Sequence, residues 1–101
     1  MIKDNDKLRI DKYLWAIRVF KTRSAAAAAC TANKVKMNTN ALKPSKTVNI
    51  GETYHIRGAE RNWVIEVTGL LQNRRAFSEA VKFYNDLTPE EEIQSIKSIA
   101  S

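Results

Sequence analysis

Arg9–Ser24, RIDKYLWAIRVFKTRS, is the stretch whose reading decides the fold. Ile10, Tyr13, Leu14, Ile17 and Phe20 recur at intervals of three and four, the spacing of one helical face. One amphipathic helix, a basic turn and the cap of a second helix are therefore expected. Arg9, Lys12, Arg18, Lys21 and Arg23 lie beside the apolar stripe. Asp11, Trp15 and Arg18 fall on the side away from it, and Asp11 is expected to pair with Arg18 two turns on, or with Arg9. An acid near the start and Lys21 near the end also suit the helix dipole.

Thr22 is a good N-cap, so Arg23–Ala32 reads as the second helix. Ala25–Ala29 form its centre. Alanine loses no side-chain entropy on entering a helix, and its small side chain also lets another backbone come close. Asn33 follows, where helices commonly end in a left-handed residue.

Beyond Asn33 the period changes to two. Val35–Asn38 reads as a strand, Thr39-Asn40 as a turn and Lys43–Lys46 (KPSK) as a basic loop. Val48 and Ile50 lead into a turn at Gly51-Glu52. Tyr54–Arg57 and Asn62–Thr68 alternate in type around residues 58–61 and read as a hairpin, closed by Gly69. Leu70–Arg75 is a connector. Phe77, Ala80, Val81 and Tyr84 give Phe77–Asp86 a helical spacing. Thr88, Pro89 and Glu91 form a capping box and first-turn proline for a last helix with Ile93, Ile96 and Ala100 on one face. Residues 1–8 lack a period and are expected to be a flexible tail. The expected units are thus the tail, a compact region over 9–69 and a helical extension over 70–101.

A chain of 101 residues has room for one domain with one modest core. Its net charge of +6 is uneven: residues 1–46 carry eleven Lys and Arg against three Asp, and the remainder is net acidic. Such asymmetry points to a localised basic surface facing nucleic acid, an anionic membrane or an acidic protein. The longest apolar run, Ala25–Cys30, is far too short to span a bilayer, and MIKDNDK has no signal-peptide pattern. A lone cysteine, Cys30, suits a reducing cytoplasm. Cytoplasmic localisation without membrane association is expected.

Catalysis finds little support. One histidine, His55, and one cysteine lie in different expected elements, two short of the four N or S ligands of a structural zinc site. Three dispersed glycines make no phosphate loop. No cofactor and no metal are expected. Lys21, Thr22, Arg23 and Ser24, in contrast, sit at a helix N-terminus, where free N–H groups and the dipole favour a phosphate. Lys34, Lys36, Lys43 and Lys46 extend the basic set. Trp15 is open to stacking on a base or to being covered by the C-terminal segments, and burial is the expectation for so large an apolar side chain.

Arg9-Ile10-Asp11-Lys12, Leu14, Arg18, Thr22-Arg23-Ser24 and Val35-Lys36-Met37-Asn38 together resemble the alpha-L RNA-binding motif, the module of small-subunit ribosomal protein four. DKYLWAIRVFKTRS, the KPSKTV loop and QNRRAFSEAVKFY further resemble the bacterial heat-shock protein 15 family. Asn33 and Thr39 stand where that family often has glycine, and its better-known members end in a long basic tail. The resemblance implies an α+β fold: two N-terminal helices on a small, mainly antiparallel sheet, with a C-terminal helical extension. It implies a non-catalytic RNA-binding protein of the large ribosomal subunit, contacting ribosomal RNA and tRNA. Non-specific binding of DNA and a monomeric free state are expected besides. Arg9, Lys12, Lys21, Arg23, Lys34, Lys36, Lys43 and Lys46 would meet phosphates. Thr22, Ser24 and Asn38 would supply hydrogen bonds, and Asp11 and Arg18 structural support. A basic adaptor for an acidic protein is the alternative. A pseudouridine synthase, to which this motif is often appended, needs a catalytic domain for which this length leaves no room.

Overall fold

The first N–H groups of a helix have no partner within it and must find one outside. In the computed structural model, which describes residues 7–58 and 61–89, the basic loop supplies those partners. Ile10 N donates to Lys46 O at 2.8 Å and Asp11 N to Pro44 O at 3.3 Å. Val48 N donates to Leu8 O at 2.8 Å, and Arg9 bridges Thr47. Leu8 is therefore a buried core residue and not part of a tail as expected.

Helix α1 (Ile10–Ala16) is shorter than the apolar spacing suggested. Arg18 adopts φ +72, a left-handed conformation that ends the helix. The chain then curls back, with Val19 N and Phe20 N both donating to Leu14 O, at 3.0 and 3.3 Å. The stripe survives the change of backbone: Ile17 is buried and Phe20 packs on the core. Helix α2 (Arg23–Thr31) starts as expected, with Thr22 Oγ1 accepting from Ala25 N at 3.0 Å. Ala26, Ala29 and Cys30 are buried while Ala25 and Ala28 are exposed. The alanines thus give both helical propensity and a thin face on which α1 and the sheet pack closely. Asn33 takes φ +63, the expected left-handed stop.

Five strands follow: β1 (Val35–Met37), β2 (Asn40–Ala41), β3 (Thr53–Arg57), β4 (Asn62–Val67) and β5 (Tyr84–Asp86). They form one antiparallel sheet in the order β2-β1-β3-β4-β5. The turn between β1 and β2 is at Asn38-Thr39, with Asn38 at φ +60, so Asn40 is a strand residue and not the second turn residue. Gly51 takes φ +94 in the turn before β3.

The expected helix over Phe77–Asp86 breaks into three pieces. Helix α3 (Phe77–Ala80) passes into a 3-10 turn (Val81–Phe83) and then β5. Pairing with β4 decides this, because Val67 opposite Tyr84 and Ile65 opposite Asp86 satisfy backbone groups that an edge strand would leave open. Three donors converge on Phe83 O: Thr68 N and Gly69 N at 3.1 Å, and the hydroxyl of buried Tyr13 at 2.8 Å. A side chain at Gly69 would put its Cβ 2.9 Å from the Phe83 ring, so any other residue there would force that ring to shift. Leu71 is buried, so the connector is part of the core. The helix expected after Thr88-Pro89 lies outside the described residues.

Alternation sorts the sheet into two faces. Val35, Tyr54, Ile56, Ile65, Val67 and Tyr84 are buried with α1 and α2, whereas Lys36, His55 and Arg57 point the other way and are exposed. The fold is α+β, as expected.

Two carboxylates stabilise the loops. Glu52 Oε1 accepts from Lys46 Nζ at 2.7 Å, Tyr54 Oη at 2.6 Å and Asn49 N at 3.0 Å. Burial pushes this carboxyl up, but the hydrogen bonds from Lys46, Tyr54 and Asn49 outweigh it and hold Glu52 below its ordinary 4.5. Asp86 is likewise held below 3.8: burial opposes ionisation, but hydrogen bonds from the Thr88 hydroxyl and N–H and the Arg61 guanidinium prevail. Both groups are depressed in the fold, so their contribution is complete above the unfolded values and is lost as pH falls through the folded ones. The melting temperature, followed by circular dichroism, should fall progressively below pH 4.5. Glu52→Gln should make that acid slope shallower, and an unchanged slope would remove Glu52 from the account.

Candidate nucleic-acid interface

Asp11 is the one buried acidic side chain among the described residues. Its carboxylate accepts from Arg9 Nε at 3.2 Å, Arg9 Nη2 at 3.0 Å and Lys12 N at 2.7 Å, with Arg23 Nη2 at 3.7 Å. The Arg9 side chain is 49% exposed and that of Arg23 48%. One buried anion therefore holds two guanidiniums at the junction of α1 and α2 while leaving about half of each open to a ligand. Guanidinium is suited to this, since its fork can hold a carboxylate and still present N–H donors outward.

The expected Asp11–Arg18 pair does not form. Arg18 lies beyond the end of α1, and its Nη1 donates to Arg75 O at 3.1 Å instead. Arg18 is thus structural through a different partner. Arg74, which the charge pattern does not single out as a site residue, clamps the turn before α2: its Nη1 donates to Phe20 O at 3.2 Å and Lys21 O at 3.0 Å. The only sequence signal for it is the Arg74-Arg75 pair in the connector.

Lys21, Thr22 and Ser24 are exposed at the start of α2, and Thr22 Oγ1 is occupied as a cap acceptor, leaving its hydroxyl hydrogen free to donate. Lys12 is half-buried on α1. Lys43 is exposed on the loop whose carbonyls cap α1, which brings it to the same end of the molecule. Lys46 departs from the expected role. Its ammonium is spent on Glu52 and on Thr47 O at 2.6 Å, and only 19% of the side chain is exposed. It holds the loop and is no free phosphate contact.

Lys34 and Lys36 lie past the far end of α2, with Lys36 beside His55 on the outward sheet face. Asn38 is exposed in its turn. The expected basic set therefore divides into a cluster at the α2 N-terminus (Arg9, Lys12, Lys21, Arg23, Lys43) and a pair at its C-terminal end. Trp15 is half-buried and packs on the core, as does Trp63, which lies 3.9 Å beneath the Arg61 guanidinium.

Among the described residues no three His, Cys, Asp or Glu side chains are grouped to hold a metal. The Cys30 thiol is pushed up to about 11, first by burial and then by the negative charge of Asp11, so it stays protonated at neutral pH. No helix among the described residues is long and apolar enough to cross a membrane.

The Asp11 arrangement predicts an asymmetry in stability. Asp11→Asn leaves two arginines that can still reach water, and should cost about 1–2 kcal/mol. Arg9→Met with Arg23→Met keeps the carboxylate covered but unpaired, and should cost about 3 kcal/mol or more. Urea unfolding of both variants measures the difference, and equal costs would contradict the burial of this charge.

Residues 8–53 match the S4 domain. The chain is 36% identical over 80 residues to the heat shock protein 15 homolog of Haemophilus influenzae, an alignment covering 79% of this chain and 61% of that protein. The chain thus spans about three-fifths of the length of this relative. It is 30% identical over 66 residues to a protein of Helicobacter pylori named RQC P-site tRNA stabilizing factor, covering 62% of this chain and 79% of that one. The structure is similar to that of heat shock protein 15 of Vibrio cholerae, which is described as trimeric, with a TM-score of 0.78, 33% identity and 93% of each chain covered. With sequence and fold in agreement over most of its length, the chain belongs to the heat shock protein 15 family of S4-domain proteins.

Proposed function

We propose that this protein is a non-catalytic RNA-binding factor that associates with the large ribosomal subunit. It contacts ribosomal RNA and tRNA in the rescue or recycling of stalled subunits. The observation that carries this is the Arg9–Asp11–Arg23 cluster, two half-exposed guanidiniums fixed by one buried carboxylate at the start of a capped helix. Fixed cations lose less conformational entropy on meeting a phosphate than free ones do, and the helix N-terminus adds its dipole and free N–H groups. Lys12, Lys21 and Lys43 surround the cluster. The kinship with a protein named for stabilising a P-site tRNA supports the choice of ligand.

Structured RNA is bound mainly through phosphates, 2′-hydroxyls and shape, so this surface should show little sequence preference. Arg9, Lys12, Lys21, Arg23, Lys34, Lys36 and Lys43 would be the phosphate contacts. With that many, affinity for large-subunit RNA should drop on the order of a thousandfold between roughly 50 and 200 mM salt.

The decisive variant avoids Arg23, because a carboxylate there would face buried Asp11. Lys12→Glu with Lys21→Glu should abolish cosedimentation with large subunits while the thermal melt stays close to that of the parent. Cosedimentation that survives in this variant would remove the α2 end from the binding surface. Binding that resists excess competitor RNA would favour the alternative, an adaptor for an acidic protein.

A further inference from the structure

On the outward face of the sheet, away from the Asp11 cluster, there is a cleft of about 280 Å³. Its lining includes Asn33, just past α2, together with Lys34, Lys36, His55, Arg57 and Asn62. Strand register explains the grouping. Lys36 lies opposite His55, His55 opposite Val64, and Arg57 opposite Asn62, while Arg57 N donates to Lys34 O at 2.8 Å. Residues directly opposite on one face of a sheet are near neighbours, so three cations and an imidazole from two adjacent segments share one concave surface, which β4 extends with Asn62.

Among the described residues this charge is uncompensated. The described ion pairs take up Arg9, Arg23, Lys46, Arg61 and Lys82, and none of them involves Lys34, Lys36 or Arg57. Three like charges brought together without a described carboxylate partner repel one another, and an anion relieves that repulsion. The negative end of the α2 dipole works against an anion here. It is equivalent to about half a charge, and the last carbonyls are already occupied, Ala29 O by Lys34 N and Cys30 O by Asn33 N. Three full cations outweigh it.

Size limits the occupant. The volume falls just below the roughly 300–1,000 Å³ range of pockets that enclose a small-molecule ligand, and the lining is mostly polar. A backbone phosphate with its ribose fits this description better than a nucleotide cofactor does. Asn62 and His55 can hydrogen-bond a ribose hydroxyl beside the phosphate.

We infer that this cleft is a second RNA-backbone site, separate from the cluster at the start of α2 and loaded by the same RNA strand or by a neighbouring one. The inference rests on the RNA-binding function proposed above. Nine residues of α2 separate the two sites by roughly 13 Å, a distance over which one strand of an RNA duplex presents several phosphates. Two sites at that spacing would fix the direction in which the protein lies on the RNA, which one cluster alone leaves open. Arg57, His55 and Asn62 gain a role here that their positions in a hairpin gave no reason to expect.

The test is a salt titration of binding to purified large-subunit ribosomal RNA, using the full chain. Lys34→Ala with Arg57→Ala should lower the slope of log affinity against log salt by about two, one for each phosphate no longer neutralised. Both residues are exposed, so the thermal melt should not move. Lys12→Glu with Lys21→Glu should abolish binding with the cleft left intact. If the first variant keeps the parental slope and affinity while the second loses binding, the cleft is no RNA site and the inference is overturned. If both variants bind as the parent does, the RNA-binding proposal itself fails. If the cleft variant loses only binding to poly-glutamate, with RNA binding intact, the cleft serves an acidic protein, and the inference is again overturned.

Discussion

A carboxylate taken out of water has to be paired, and the pairing of Asp11 organises this protein. Asp11 sits in the first turn of α1, and its partners reach it from the residue before that helix and from the first residue of α2. Satisfying one charge therefore holds two helix starts together. The loop at 43–47 closes the same corner by giving its carbonyls to the α1 N–H groups. The arginines that answer the buried charge are the ones left half open at the surface. Stability and the proposed phosphate grip rest on the same three side chains, so the site is preorganised by the core.

The sheet does for the other end of α2 what Asp11 does for its start. Alternation along β3 sends Tyr54 and Ile56 inward and His55 and Arg57 outward. Registry with β1 and β4 then lines up Lys36, His55 and Val64 across the outward face. β5 completes the inner face with Tyr84, while Tyr13 ties α1 to the turn that delivers that strand. Burial opposes ionisation of both tyrosines, most of all Tyr13, so each stays neutral at physiological pH.

Local signals were legible wherever one residue type decides a conformation. Thr22 caps its helix and Asn33 ends it in the left-handed region, both as their chemistry requires. The hairpin of β3 and β4 follows from period-two alternation. Expectation and structure part where a distant partner overrides a local preference. Helical spacing over Phe77–Asp86 loses to the open edge of β4, and Arg18 loses its expected partner because the chain turns at that residue. Lys46 reads as one more cation until Glu52 claims it. In each case local spacing or charge can be read directly, whereas the competing interaction is tens of residues away in sequence or depends on how a loop closes.

Sequence by itself determined the two helix starts, the core stripe, the hairpin and the basic half. These follow from periodicity, capping and composition, all of which act over a few residues. The α+β class came with the family resemblance that the motif residues carry. Tertiary structure alone decided which cations are free. Arg9 and Arg23 are presented by Asp11, Lys46 is withdrawn, Arg74 is turned inward as a clamp, and Arg57 joins Lys34 and Lys36 on a face that no linear pattern marks. The reason is physical: a charged side chain is committed or available according to what lies within a few ångströms of its head group. That is a property of how separate segments meet, and no single segment contains it.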